Sequence, residues 1–383
     1  MDPKVARETL DQLVQYTRAA SRLLGVDQTP KQKNHSGGYA EGQPSGVICH
    51  YTASNAAVGT RRPYGRLPVL LSRLRPLSGA AVGCHVVVWD EPIPRLTALK
   101  VRYPLIQHIP AEVFFFGDEL ALWHAGSANR WSIGIEVRNC GELLRSSKGA
   151  LYWARGKYRY RGRPPITIGE RYWEPFTHSQ MVGTVWVSRL LAAVHPLRPH
   201  RFLGHTQVSS TRVDPGPHFP IHEIRSAIFD HPDHDLLDLP FLKEFEMINA
   251  DQDLIFDRDD PLVSEASLHE GKYRHDWDGD PDHRYELTAE VIDHSFEQLD
   301  DRTVVELKQT LRRLGYYPGP DDSPLVTPEL TDTVRIFQSR WKKRVTHRGR
   351  RRWARAIRVN GKIDQELFKH LRALDRQQFQ MVS

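Results

Sequence analysis

The stretch Gly46-Val-Ile-Cys-His-Tyr-Thr-Ala-Ser54 decides how this chain is read. It opens on a glycine, runs through apolar and β-favouring residues and closes on small polar ones, as a buried strand does. Side chains alternate along a strand, so Ile48, His50 and Thr52 share one face while Val47, Cys49 and Tyr51 share the other. Working outward, the same texture returns in Val82–Asp90 (VGCHVVVWD), Val113–Asp118 (VFFFGD) and Trp131–Asn139 (WSIGIEVRN). Between Thr177 and Val194 the pattern changes, and Val182, Val185, Trp186, Leu190 and Ala193 recur at helical spacing. Short apolar strands followed by packed helices indicate an α/β layer structure.

The whole chain has 383 residues, which at about 150 per domain gives room for two or three domains. Residues 1–35 read as an amphipathic helix and a Gly-rich loop, and residues 36–230 hold the strands and helix just described. Within them the Arg- and Tyr-rich segment 141–175 reads as a protruding hairpin or loop. Residues 231–300, rich in Asp, His and Pro, read as an acidic linker or irregular extension. Residues 301–383 read as a small all-α unit. There Val304, Leu307, Leu311 and Leu314 lie on one helical face that stops at Gly315. Thr327-Pro328 opens a second helix with Leu330, Val334 and Phe337, and Asp364 a third with Leu367, Leu371 and Leu374 inward.

Composition narrows the classes. No run approaches the roughly 18 apolar residues of a spanning helix, so no integral membrane segment is expected. The N-terminal stretch lacks the continuous apolar core of a secretory signal, so synthesis in the cytoplasm and exit by another route are expected. Three cysteines, Cys49, Cys84 and Cys140, are too few for a disulfide framework. The 53 Lys+Arg against 47 Asp+Glu leave a net charge of +6, which suits an anionic partner of some kind: nucleic acid, wall polymer or lipid. With 19 histidines in the chain, only spacing and context promote any one of them.

Two segments meet that requirement. His50 sits in the opening strand, and Gly204-His-Thr-Gln-Val-Ser-Ser-Thr-Arg-Val-Asp-Pro-Gly-Pro217 carries His205 and Asp214 in a loop closed by a rigid Pro-Gly-Pro. A distant His with a His/Asp pair on a fixed loop supplies three ligands and leaves one tetrahedral position for water, the pattern of a catalytic zinc site; the other reading is unrelated surface histidines. In Ser132-Ile-Gly-Ile-Glu-Val-Arg-Asn139, Glu136 interrupts an apolar strand, and a carboxylate there needs either a partner such as Arg or a chemical task.

Taken in order, His50-Tyr51-Thr52, Trp123-His124-Ala125-Gly126, Asn129 with Ser132-Ile-Gly-Ile-Glu136, and Gly204-His205 followed by Asp214-Pro-Gly-Pro217 resemble the motifs of the type 2 N-acetylmuramoyl-L-alanine amidases, over roughly residues 40–225. The resemblance implies a mixed central sheet flanked by helices. It implies Zn2+ held by His50, His205 and Asp214, with Glu136 as general base. Where the family usually has a Lys two residues before the last ligand, this chain has Arg212, which cannot deprotonate and would serve as a fixed positive partner for the oxyanion. It also puts Thr52, His124 and Asn129 beside the substrate, although His124 reads equally well as a packed residue. The C-terminal unit, with Leu314-Gly-Tyr-Tyr317, Phe337-Gln338, Asn360-Gly361 and Ile363-Asp364, resembles the three-helix peptidoglycan-binding domain. The implied activity is cleavage of the amide between N-acetylmuramic acid and the L-alanine of the stem peptide. The alternative is a protein of the same fold that binds muropeptides without cutting them.

The remaining signals are weaker. His85 and Cys49 read as structural, and His178, His195, His200 and His218 show no local partner. No HExxH or Gly-x-Ser-x-Gly motif is present. The basic run of residues 340–355 reads as a solvated face or as a grip on anionic cell-envelope polymers; nothing else in the chain reads nucleic acid. The expected setting is the bacterial cell wall, reached after phage lysis, as an endolysin does, or by injection or virion delivery.

Overall fold

The computed structural model describes residues 1–26, 33–53, 67–76, 82–89, 92–109, 111–153, 158–160, 162–168, 171–209, 212–242, 301–319, 323–340, 342–347 and 350–355, with Leu367 and Leu371. Most of the expected linker lies outside them, and so does the expected third C-terminal helix apart from Leu367 and Leu371, both buried. Backbone contacts divide the chain into two units. One is Met1–Arg198 with Pro215–Glu270, and the other is Pro199–Asp214 with Gly271–Ser383.

In the first unit, helix α1 (Pro3–Leu23) starts where the Asp2 carboxylate accepts a hydrogen bond from the Lys4 N–H at 2.7 Å and Pro3 presets the first turn. Its buried stripe, Ala6, Leu10, Leu13, Tyr16, Thr17 and Ala20, follows the helical period. This stripe packs against strand β3 (Val113–Phe115) and helix α4 (His178–Val194). The Thr17 hydroxyl accepts the Phe115 N–H at 2.8 Å, so α1 blunts the free edge of β3. Beneath it the Glu112 carboxylate is fully buried, accepting from the Tyr16 hydroxyl at 2.5 Å and pairing with Lys100 at 3.4 Å.

The central sheet is mixed, in the order β10 (Phe202–Gly204), β1 (Gly46–Tyr51), β4 (Ser132–Val137), β2 (Val86–Val88), β3. Strands β1, β4 and β2 run parallel and β3 antiparallel to β2. Their near-continuous burial is that of strands covered on both sides. Helices α2 (Leu67–Leu74), α3 (Pro94–Lys100), α4 and α6 (Ile221–Phe229) accompany the sheet. Helix α4 has a full capping box, Thr177 with Gln180, and is buried along nearly its whole length. The first residues of the expected linker also pack inward, since Leu239 and Leu242 are buried.

Segment 141–175, expected as a hairpin or loop, is a second sheet. Strands β5 (Glu142–Arg145), β6 (Leu151–Trp153), β7 (Tyr158–Arg159), β8 (Ile166–Ile168) and β9 (Arg171–Trp173) lie antiparallel in the order β7-β6-β5-β9-β8. Its own small core is Cys140, Leu143, Trp153 and Tyr160. A buried ion pair, Arg138 to Glu174 at 2.6 Å, ties its root to the end of β4, and the same carboxylate accepts the Cys140 N–H at 2.5 Å.

In the second unit, α7 (Asp301–Arg313) ends at Gly315, whose φ of +88° is the left-handed cap expected there. Helix α8 (Pro328–Arg340) begins at Thr327 as its sequence predicts, the Thr327 hydroxyl accepting the Leu330 N–H at 3.3 Å. The basic run that follows is not a plain connection. It forms a two-stranded antiparallel hairpin, β11 (Lys342–His347) with β12 (Arg350–Arg355). Helix α5 (His205–Val208) belongs to this unit and carries the last motif.

Candidate active site

Parallel pairing of β1 and β4 sets the first half of the site. The register places His50 opposite Glu136, one residue from the C-terminal end of each strand. Adjacent strands lie about 4.8 Å apart, so these two side chains stand next to one another on a single sheet face. Ligands of open α/β sheets gather at such carboxyl ends of strands. Cys49 points the other way and is fully buried; burial pushes its thiol up, which suits packing rather than metal binding.

The second half comes from the turn after β10. His205 opens α5 immediately beyond the strand, and a loop returns to Asp214. Two bonds staple that loop: the Thr206 N–H donates to the Asp214 carbonyl at 2.8 Å, and His205 Nδ1 meets Asp214 Oδ2 at 3.0 Å. Ligand atoms of His50, His205 and Asp214 all lie within 4.8 Å of one another. His50 and His205 are buried and Asp214 half-buried.

Residues 40–217 match the family model described as N-acetylmuramoyl-L-alanine amidase. Over that stretch, a little under half of the chain, the sequence is similar to the type 2 N-acetylmuramoyl-L-alanine amidases. Among solved structures, the chain is similar to AmiD from E. coli in complex with its substrate anhydro-N-acetylmuramic acid-L-Ala-D-gamma-Glu-L-Lys. The two are 19% identical, with 89% of this chain and 91% of that chain covered and a TM-score of 0.33. It is also similar to AmpDH3 from Pseudomonas aeruginosa, at 16% identity, 92% and 98% coverage and a TM-score of 0.31. The complex of AmpDH3 with anhydromuramic pentapeptide gives 16% identity, 63% and 84% coverage and a TM-score of 0.29. No curated protein matches the chain.

The donor set of this site fits a divalent metal of zinc type. Two borderline imidazoles and one hard carboxylate make a set that zinc accepts, and they leave a fourth position open. Tetrahedral bonds of about 2.0–2.1 Å put ligand atoms about 3.4 Å apart, so atoms that already lie within 4.8 Å need only small rotations to close on one ion.

His124 forms the wall of the site, and Gly134 makes room for it. A Cβ on Gly134 would lie 2.8 Å from His124 Cγ, so the imidazole lies directly on the strand backbone. His124 Nε2–H donates to the Ser132 carbonyl at 3.2 Å, which in the neutral ring leaves Nδ1 as acceptor, 3.1 Å from His50 Nε2. Behind it stands His85, edge-on at 5.7 Å between ring centres. The Gly134 N–H donates to His85 Nδ1 at 2.9 Å, and His85 Nε2–H donates to the Leu120 carbonyl at 2.7 Å. Both ring nitrogens are thereby fixed in one tautomer, and burial pushes the imidazole pKa down to about 4. The sequence reading of His85 as structural agrees with this placement; its hold on Gly134 has no signal in the sequence.

The other predicted residues take these positions. Asn129 Oδ1 accepts the N–H groups of His124 and Ala125 at 3.0 and 2.6 Å, so its side chain shapes the loop that presents His124. The Thr52 hydroxyl donates to the Asn139 carbonyl at 3.3 Å, joining the ends of β1 and β4. Ala53, just beyond, takes a φ of +46°, a strained backbone two residues past the end of β1. Arg212 is exposed on the loop between His205 and Asp214, and its guanidinium makes no hydrogen bond among the described residues. Burial pushes the Cys84 thiol up, and the nearby Glu136 charge adds to it.

Proposed function

We propose that this chain is a zinc-dependent amidase that cleaves the bond between N-acetylmuramic acid and the L-alanine of the peptidoglycan stem peptide. The observation that carries the reading is the convergence of His50, His205 and Asp214 beside Glu136 inside the stretch that matches this family. The ligands in the AmpDH3 and AmiD complexes, anhydromuramyl peptides, are of the same substrate class.

His50, His205 and Asp214 would hold the ion. Zinc, when bound, polarises the scissile carbonyl and lowers the pKa of water from 15.7 towards about 7. Glu136, next to His50 on the same face, accepts the proton of the attacking water at its carboxylate and returns it to the departing L-alanine nitrogen. Arg212, permanently charged, lies on the ligand loop within two residues of Asp214 and supplies positive charge to the oxyanion. His124 and Gly134 keep the His50 imidazole oriented, as an outer shell does.

The C-terminal unit is read as the wall-binding part, raising local substrate concentration. Residues 340–355 hold nine Lys and Arg and no acidic residue. Their register sets Lys342 against Arg355 and crowds the other cations onto one short ribbon. Like charges opposite one another destabilise a ribbon, and a polyanion lying along it relieves that repulsion. Anionic cell-envelope polymers are the proposed partner there. Retention on sacculi should fall steeply with salt and be lost when the arginines of β12 are neutralised.

The test of the activity is release of free L-alanine amino termini from purified sacculi. Zinc-loaded protein should release them, chelator should stop it, and zinc should restore it. Absence of release, or release indifferent to chelator, would refute the proposal.

A further inference from the structure

The segment Pro199–Asp214, which carries two of the three proposed ligands, is packed in one unit with the C-terminal helices. Four hydrogen bonds hold it. The Asp332 carboxylate on α8 accepts from His200 Nε2–H at 2.9 Å and from Arg201 Nε–H at 2.8 Å, just ahead of β10. The buried Tyr316 hydroxyl donates to the Gln207 carbonyl at 2.7 Å, in the middle of α5. The Gln207 side chain works both ways: Oε1 accepts the Gly204 N–H at 2.8 Å, and Nε2 donates to the Leu314 carbonyl at 3.4 Å. The approach is close enough that a Cβ on Gly315 would lie 2.7 Å from Gln207 Nε2. Contacts therefore flank His205 on both sides, at positions 200–201 and at 207.

We infer that Asp332 and Tyr316 are positioning residues for the metal centre: the C-terminal helices fix the backbone on which His205 and Asp214 stand. The contacts are of the kind that last. Burial alone would raise the Asp332 carboxyl, yet the hydrogen bonds from His200 and Arg201 hold it well below the usual carboxylate range. Tyr316 is fully enclosed, so its hydroxyl has no water to turn to if Gln207 moves. A helix of one turn has little stability of its own, so α5 depends on such outside bonds for its placement. The helices read as a wall-binding module thus have a second task. Their loss would cost metal affinity as well as substrate affinity. This inference rests on His205 and Asp214 being ligands, as proposed above.

The test uses the full-length protein and the variants Tyr316→Phe and Asp332→Asn, alone and together. Tyr316→Phe deletes one hydroxyl and keeps the ring that packs on Phe337. Arg335→Ala, exposed one turn along on α8, is the control. Two measurements are made: zinc affinity by competition with a chelator, and amide hydrogen exchange along the chain. The double variant should bind zinc about 10-fold more weakly, a loss of the size seen when metal-orienting partners are removed. Exchange should quicken in residues 199–209 and stay as in the wild type in α4 and β4, and Arg335→Ala should change neither. Zinc affinity within twofold of the wild type, with unchanged exchange in 199–209, would overturn the inference. Should the wild type bind no zinc, the metallo-hydrolase reading and this inference fail together. If zinc binds, exchange quickens and affinity holds, the inference alone fails.

Discussion

Replacing Gly134 with alanine puts a methyl carbon 2.8, 2.9 and 3.1 Å from Cγ, Nδ1 and Cδ2 of His124. Carbon contacts settle near about 3.5–4.0 Å, so the ring must retreat by several tenths of an ångström. It has little freedom to do so. Its Nε2 is held by the Ser132 carbonyl, its backbone by Asn129, and His85 stands behind it. Overpacking of this kind costs about 1–3 kcal/mol. For a domain of this size each kcal/mol lowers Tm by about 2–4 °C, so Gly134→Ala should melt several degrees below the wild type and bind zinc more weakly as His124 leaves His50. Calorimetry on the metal-loaded and metal-free forms reads both effects. The decisive comparison adds His124→Ala: with the ring gone the methyl group has room, so the double variant should be more stable than the sum of the two single losses predicts. Additive losses, or a Gly134→Ala protein that melts with the wild type, would refute the reasoning.

Glu136→Gln preserves shape but not basicity. It should keep zinc binding while kcat on sacculi falls about 10²–10⁴-fold; a variant that retains activity would remove Glu136 from the mechanism. Tyr16→Phe should cost about 1–3 kcal/mol in urea unfolding, because buried Glu112 loses the hydroxyl it accepts from, and an unchanged midpoint would contradict that. His85 has its pKa pushed down to about 4 by burial, against about 6.5 in the unfolded chain. Between those values the unfolded chain binds the extra proton. The stability His85 contributes is therefore complete above pH about 6.5 and lost as pH falls towards 4, about 3 kcal/mol in all. An NMR titration of its ring should show a midpoint well below 6.5; a midpoint at or above that value would contradict the burial argument.

Much of this site could be read without coordinates, for a physical reason. A strand has a period of two, so the single segment 46–54 already assigned His50 and Cys49 to opposite faces, and the structure keeps them there. Segment 132–137 was legible in the same way, and its Gly134 and Glu136 share the face that β1 presents. Helix α4 and the stop at Gly315 followed from spacing and cap chemistry. What stayed hidden depends on partners distant in sequence. His195 meets Asp118 at 2.5 Å, His200 meets Asp332, and His218 Nε2–H donates to the Glu174 carbonyl at 2.9 Å; none of these has a local pattern. The second sheet escaped because its strands are two to four residues long, too short for a period of two to show. The hairpin β11–β12 escaped for a related reason, since a run of Lys and Arg looks the same as strand or loop. Helix α1 was legible as amphipathic, but its amphipathicity alone could not show that it covers β3 and α4 rather than standing apart.

Anomalous diffraction at the zinc edge, from crystals of the full-length protein grown with zinc, tests the central claim most directly. A single strong peak is expected within about 2.0–2.2 Å of one atom each from His50, His205 and Asp214, with the Glu136 carboxylate nearby and not bonded to it. A peak that omits any of the three residues, or none at full zinc saturation, would contradict the account.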